Sequence, residues 1–415
     1  MKFLTSDGLN ENLHELFEKI VKPYIVKEKR ELPWRNKKVV YTKPSNYDFQ
    51  SSYIFKGEDY NSGIVSDTYK EAILNFTNSS DNSKVFLKSD DGKNWEEVVS
   101  NHTFTNLVTA LKTENGTYYL NTGITGNSCY STDGLKTVSQ IPTSVLPANS
   151  LALLLTSPYT FIRLKNNKVL AYSSKNGIYK QNTDGTFTSV FKLTDTALAV
   201  GFVAPTDNYV FVFVMPNDVK TTTPISIYKA SIDDLNFTLV AQVPRAAEKR
   251  LIRFADVTDT KAIIGFGTSV YGQVSDGIGG TITTVVDYNN YYYVEVSFET
   301  GAVTNLSYDN ADYLVKFKKL KSGRIFTSPY GKDFISYTDD GHTWTHIRNP
   351  NYVYTKMIQI DNGIILTITA QGIMISYDNG EHFELKSEGS YKDIIAFGNT
   401  VSLLTAEGVI EAIEF

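Results

Sequence analysis

Ser89-Asp90-Asp91-Gly92-Lys93-Asn94-Trp95 decides how the chain is read, because copies of it return along most of the sequence. Thr338-Asp339-Asp340-Gly341-His342-Thr343-Trp344 is the same heptad with one conservative change at its start. Ser376-Tyr377-Asp378-Asn379-Gly380-Glu381-His382-Phe383 is one residue longer. Partial copies read Ser131-Thr132-Asp133-Gly134, Asn182-Thr183-Asp184-Gly185-Thr186-Phe187 and Ser231-Ile232-Asp233-Asp234-Leu235-Asn236-Phe237. Ser297-Phe298-Glu299-Thr300-Gly301 is the weakest. Self-similarity of this kind marks a repeat architecture.

The residue types explain the turn. Ser and Asp accept hydrogen bonds from backbone N–H groups two residues on, and glycine supplies a positive φ without a Cβ clash. The Trp or Phe then starts the next strand and lays an aromatic ring between neighbouring sheets. Apolar, β-rich runs precede most copies, including Val85-Phe86-Leu87, Ile225-Ser226-Ile227-Tyr228 and Phe334-Ile335-Ser336-Tyr337. Each copy is therefore a structural hairpin turn, carried by Ser89, Asp91, Gly92, Trp95, Asp133, Asp184, Asp233, Asp340, Gly341, Trp344, Asp378, Gly380 and Phe383.

The pattern resembles the Asp-box, or bacterial neuraminidase, repeat from about residue 50 to the C-terminus. In that family the box joins the two outer strands of a β-propeller blade, away from the central pocket. The resemblance implies a fold and leaves function open. Starts at 89, 131, 182, 231, 297, 338 and 376 give intervals of 42, 51, 49, 66, 41 and 38 residues. A four-stranded blade takes about 40–50 residues, so only the fourth interval is long. It contains an insertion, Tyr271–Gly280, whose glycine-rich Gly277-Ile278-Gly279-Gly280 reads as flexible, and an extra apolar run to Asp287.

After the last turn three strands remain: 393–397, 401–405 and 408–413. The strand at 38–42 supplies a fourth and closes the ring, which removes exposed sheet edges. The expectation is an all-β protein, a β-propeller of eight four-stranded blades. The count is seven if the Glu299 group belongs to a neighbouring blade.

Two domains are expected, an N-terminal helix and basic linker over 1–37 and the propeller over 38–415. Leu9, Leu13, Leu16, Phe17 and Ile20 form the apolar stripe of an amphipathic helix that Pro23 stops. This stripe either packs on the propeller or meets copies of itself or a docking partner, making the chain a homo-oligomer. Residues 22–38 carry seven Lys or Arg against Glu28 and Glu31 and read as a solvated linker. The opening Met1-Lys2-Phe3-Leu4-Thr5-Ser6-Asp7-Gly8-Leu9 and the stripe behind it also resemble the start of phage tail, baseplate and fibre proteins. These are proteins of phages that infect Gram-positive bacteria. That resemblance covers about twenty residues and implies attachment to other tail proteins of a virion.

Composition narrows the function. A formal charge of -5 argues against nucleic acid as the main partner. Cys129, the single cysteine, excludes an internal disulfide and reads as a small buried hydrophobe. No apolar run approaches the ~20 residues that span a membrane. No signal peptide is legible at the N-terminus, so the expected location is the virion tail, after synthesis in the host cytoplasm. The five histidines show no metal-ligand spacing, and no cofactor or metal is expected.

The resemblance to Asp-box propellers brings sialidases and other glycosidases into view. A sialidase needs three converging arginines, yet no arginine lies between residues 36 and 88, where the family's first should stand. Other glycosidases need two carboxyl groups about 5–10 Å apart. Asp256, Glu295 and Asp312 are strand-borne, but no motif pairs them. Abundant tyrosine favours binding, and Tyr288, Asn289 and Tyr291 are candidates for stacking on and reading a sugar, or else for packing in a wide strand. The reading is a tail-fibre-like protein that adheres to a host surface glycan. A propeller glycosidase and an architectural virion part are the alternatives.

Overall fold

The computed structural model describes residues 18–415 except 20, 21, 45, 57–68, 82–83, 99–106, 114, 123–127, 143–145, 147–158, 196, 217–222, 245–249, 269, 276–280, 288–290, 307–313, 330–333 and 349–353. Eight four-stranded antiparallel sheets follow one another along the chain. We number them blades 1 to 8, spanning residues 47–98, 107–140, 160–191, 198–243, 250–306, 314–348, 354–388 and 391–414. In six of them the strands pair in chain order, and the first strands of several neighbouring blades lie side by side. The protein is an eight-bladed β-propeller.

Blade 8 has three strands of its own, Tyr391–Phe397, Thr400–Thr405 and Val409–Glu414. Its outer strand is Lys38–Thr42, with Lys38 opposite Ala412 and Thr42 opposite Val409. Eight blades therefore need only seven turns between third and fourth strands. Those seven are the repeated turns of the sequence, so Ser297–Gly301 belongs to a blade of its own. Blade 5 differs in its middle. Val270–Ser275 and Thr281–Asp287 pair as a separate hairpin between its second and third strands; Gly277-Ile278-Gly279-Gly280, expected to be flexible, lies outside the described residues.

Outer strands such as Thr345–Arg348 and Glu384–Glu388 are exposed or half-buried throughout. Inner strands such as Ile365–Thr369 and Gly372–Ser376 are buried along their whole length, because blades cover both of their faces. The apolar core accordingly sits between blades. Ile358, Leu366 and Ile375 of blade 7 pack with Ile394, Val401 and Leu403 of blade 8. Leu74 and Phe76 of blade 1 pack on Ile395 and Phe397 of blade 8. Each such side chain contributes about 1.5–3 kcal/mol by leaving water.

Residues 22–35 are not a linker. Lys22–Arg35 is an α-helix, and Pro23, expected to end a helix, sits in its first turn. There the missing N–H removes no hydrogen bond and the fixed φ favours helix. Lys, Glu and Arg, which suggested a solvated run, are also good helix formers. The helix lies on blades 7 and 8. The Trp34 ring meets Phe415 edge-on at 5.8 Å, and the Arg30 guanidinium covers the Tyr377 ring at 4.4 Å. Glu31 pairs with Lys386, whose hydrogen bond holds the Glu31 carboxyl below its ordinary range. The stripe Leu9, Leu13, Leu16, Phe17 and Ile20 lies outside the described residues. Among the described residues no helix is long and apolar enough to cross a membrane.

Candidate ligand-binding site

The repeated turns form as their chemistry dictates. Asp91 Oδ1 accepts the backbone N–H groups of Lys93 and Asn94, each at 2.8 Å, while Ser89 Oγ accepts that of Gly92 at 2.9 Å. Asp340 Oδ1 does the same for His342 and Thr343 at 2.7 Å. Those N–H groups, with Thr343 first, push the Asp340 carboxyl far below the usual range. Asp378 Oδ1 accepts from His382 at 3.0 Å and Asp133 Oδ1 from Thr137 at 2.9 Å. In blade 4 the acceptor is Asp234, bonded to Asn236 N at 3.0 Å, and not Asp233. Asp233 instead accepts from the Asn166 amide of blade 3 at 3.1 Å.

Six of these turns press on the blade before them. A Cβ on Gly92 would meet Phe397 of blade 8 at 2.6 Å, one on Gly341 would meet Ile263 of blade 5 at 2.7 Å, and one on Gly380 would collide with Phe326 of blade 6. In blades 2 and 4 a leucine fills the seam. Leu135 and Leu235 are each 2% exposed, packed with Ile73 of blade 1 and Leu170 of blade 3 respectively. In blade 5 Phe298 stacks on Phe211 of blade 4 at 4.3 Å.

The turn of blade 3 has no such filling. Gly185 has nothing within 4 Å of the place a Cβ would take, and Thr186 follows it where blade 2 has Leu135. A cleft of about 650 Å3 opens between blades 2 and 3. Its floor is aromatic and apolar: Tyr119, Tyr130, Phe187 and Ile141. Tyr119 is fixed by Phe161, stacked at 5.0 Å, and by the Gln181 amide, which donates to its hydroxyl across the seam. Burial, the main cause, pushes the Tyr119 hydroxyl pKa up. Tyr130 is only half-buried and presents itself to the cleft.

The rim is polar and pre-set. Asn182 Nδ2 donates to Thr186 Oγ1 at 2.9 Å and to Thr188 Oγ1 at 2.8 Å. Thr186 donates to Asp184 Oδ1 through its hydroxyl at 2.6 Å and its backbone N–H at 2.9 Å. These two bonds hold the Asp184 carboxyl below the usual range, so it stays a carboxylate at neutral pH. Among the described residues lining the cleft it is the one carboxylate, and no Lys, Arg or His joins it. The arrangement can stack a flat apolar face and bond hydroxyl or amine groups; it lacks the paired acids of glycoside hydrolysis.

No family model matches the chain, and no curated protein sequence matches it. Solved structures do. YCF48 bound to D1 peptide is 12% identical over 91% of this chain and all of that one, with a TM-score of 0.43. BamB from Moraxella catarrhalis is 13% identical over 89% of this chain and all of its own, with a TM-score of 0.44. The computationally designed Ika8 protein is 10% identical over 88% of this chain and all of its own, with a TM-score of 0.50. At such identities the likeness is one of fold alone.

The cleft is not where the sequence pointed. Tyr288 and Asn289 lie outside the described residues, and Tyr291 opens the third strand of blade 5, opposite Gly267. Of the acids weighed for catalysis, Asp256 is bound to Lys319 at 2.5 Å and Glu295 to Lys261 at 2.6 Å; Asp312 is outside the described residues. Asp184, read as a turn residue, does hold its turn and also lines the cleft. Among the described residues no group of three or more His, Cys, Asp or Glu is placed to hold a metal ion. Cys129 is buried, and burial raises its thiol pKa.

One signal for the cleft was present and unread. A second turn repeats between first and second strands: Thr113-Glu114-Asn115-Gly116-Thr117, Leu164-Lys165-Asn166-Asn167-Lys168, Leu320-Lys321-Ser322-Gly323-Arg324 and Ile360-Asp361-Asn362-Gly363-Ile364. All four share one pattern, in which the first residue's N–H donates to the fifth residue's carbonyl and the fourth residue's N–H to the first's. The fifth position faces the next blade. Arg324 there donates to Asn379 O at 3.0 Å, and Lys168 to Ile232 O at 3.0 Å. Thr117 is too short to fill the same space.

Proposed function

We propose that this chain is a non-catalytic adhesion protein: a β-propeller that recognises a cell-surface glycan in the cleft between blades 2 and 3. The observation that carries the reading is the lining itself, two tyrosines and a phenylalanine beside Asn115, Gln181, Asn182 and four threonines. Aromatic faces cover the apolar face of a pyranose, and amides and hydroxyls read its hydroxyl groups, which is how concave sites take polar ligands. The one carboxylate of the lining is occupied by its own turn and held ionised, which suits recognition and not proton transfer.

The setting we propose is the tail of a phage of Gram-positive bacteria, reached through the N-terminal resemblance. The stripe Leu9, Leu13, Leu16, Phe17 and Ile20 then joins copies of the chain or other tail proteins, and many copies on one particle raise avidity. The test is incubation of purified protein with surface polysaccharides of several Gram-positive bacteria, recording bound and released sugar together. Binding without release is expected, and it is expected to disappear in Tyr130→Ala. Released oligosaccharide overturns the non-catalytic reading. For the assembly, Leu13→Asp with Phe17→Asp is expected to lower the mass seen by light scattering; an unchanged mass removes the stripe from the interface.

A further inference from the structure

The seam between blades 6 and 7 displays what the protein itself puts into the space that stands open between blades 2 and 3. Phe326 pairs with Tyr337 in blade 6 as Tyr119 pairs with Tyr130 in blade 2, and both pairs follow the same five-residue turn. In blade 6 the turn ends on Arg324, whose guanidinium lies over the Tyr337 ring at 4.0 Å. The same guanidinium forks to Asp339 at 2.7 and 2.8 Å. A cation, a tyrosine face and a carboxylate make one unit there.

Between blades 2 and 3 the tyrosine face of that unit is present, the cation is missing, and a carboxylate comes from a different turn. Tyr130 stands where Tyr337 stands, Thr117 replaces Arg324 and Thr132 replaces Asp339, while Asp184 lines the cleft from the facing turn, the side from which Glu381 approaches Arg324 at 3.8 Å. With one carboxylate and no basic residue among the described lining, the cleft repels anions and favours positive charge. An ammonium group over Tyr130, in the cleft that Asp184 also lines, takes the cation's part that Arg324 plays over Tyr337 in blade 6.

We infer that the cleft binds an amine-bearing glycan, its protonated amino group taking the place that Arg324 fills between blades 6 and 7. This rests on the glycan-binding reading and narrows it to a ligand class. Hydroxyls of the same sugar meet Gln181, whose Nε2 is engaged by Tyr119, and the rim amide of Asn182.

The test is calorimetric titration of the full chain with three hexasaccharides: deacetylated chitosan, N-acetylated chitin and galacturonate. The chitosan hexamer is expected to bind roughly tenfold more tightly than the chitin hexamer near pH 5.5. The margin shrinks toward about pH 8.5, as the amine loses its proton while Asp184 stays ionised. Asp184→Asn keeps acceptors for the Thr186 bonds and is expected to bring the two affinities together. Thr117→Arg, which puts a cation at the place Arg324 holds in blade 6, is expected to abolish binding with the thermal midpoint maintained. Equal or tighter binding of the acetylated hexamer overturns the amine inference and keeps the glycan reading. Chitosan binding that survives Thr117→Arg also overturns it, because the attraction then lies elsewhere on an acidic surface. No affinity for any of the three, or for the bacterial polysaccharides, removes both readings.

Discussion

Arg324 in blade 6 and Thr117 in blade 2 occupy the same place in the same turn, and the seams beside them have opposite characters. Between blades 6 and 7 the arginine is 7% exposed, bonded to its own blade through Asp339 and to the next through Asn379, while Gly380 lies against the Phe326 ring. Between blades 2 and 3, among the described residues, the threonine side chain makes no equivalent bond, Gly185 faces open space, and an amide-to-hydroxyl bond from Gln181 to Tyr119 crosses beside the aromatic floor. The backbone is shared; side chains at a few positions, Thr117 and Thr186 among them, separate a cleft from a sealed joint. In a repeat protein the informative residue is therefore the one that fails to repeat.

Substitutions break this comparison in a graded way. Gly380→Ala is expected to cost the most, on the order of 2–5 kcal/mol, from a left-handed backbone forced on a Cβ and a collision with Phe326. Urea denaturation measures it as a lower midpoint. Arg324→Thr, which turns the sealed seam into a copy of the open one, is expected to cost about 2 kcal/mol through its lost charged hydrogen bonds.

Arg324→Thr also changes the response to acid. The Asp339 carboxyl is depressed mainly by its hydrogen bond to Arg324, so its contribution is present above the ordinary carboxylate pKa and lost as pH falls through the lowered one. The decline of the urea midpoint between about pH 5 and about pH 2 should then be shallower in the variant than in the parent. An identical slope would mean that the pair contributes nothing to acid sensitivity.

Gly185→Ala sharpens the comparison from the other side. It meets the same backbone cost at φ 84° but no neighbour, so about 1–2 kcal/mol is expected. If Gly185→Ala and Gly380→Ala proved equally damaging, the contrast between the two seams would fail.

The architecture was legible because its signal is local. Ser89, Asp91 and Gly92 state the geometry of a turn in their own chemistry, and the intervals between copies state the size of a blade. The segment 38–42, assigned to the last blade from the sequence, pairs there with Val409–Glu414. The helix Lys22–Arg35 was misread because Pro23 has opposite meanings at the start and at the end of a helix, and composition alone does not say which applies. The site was harder still. A cleft is space left by side chains that are short or turned away, and Thr117 and Thr186 carry no mark of it until Arg324 and Leu135 are laid beside them. The tyrosine-rich run at 286–293 drew attention because it is conspicuous, whereas Tyr119 and Tyr130 sit in short, ordinary strands.

The closing strand has a mechanical consequence. Lys38–Thr42 is the outer edge of blade 8 and is joined directly to the N-terminal segment. Any pull on that segment is therefore directed at the strand that shuts the ring. The docked helix stands in series ahead of it, so tension reaches Glu31–Lys386, Arg30–Tyr377 and Trp34–Phe415 before it reaches the first ladder bond. A tether at this end loads a small set of side-chain contacts that can give way and re-form while the ring stays shut.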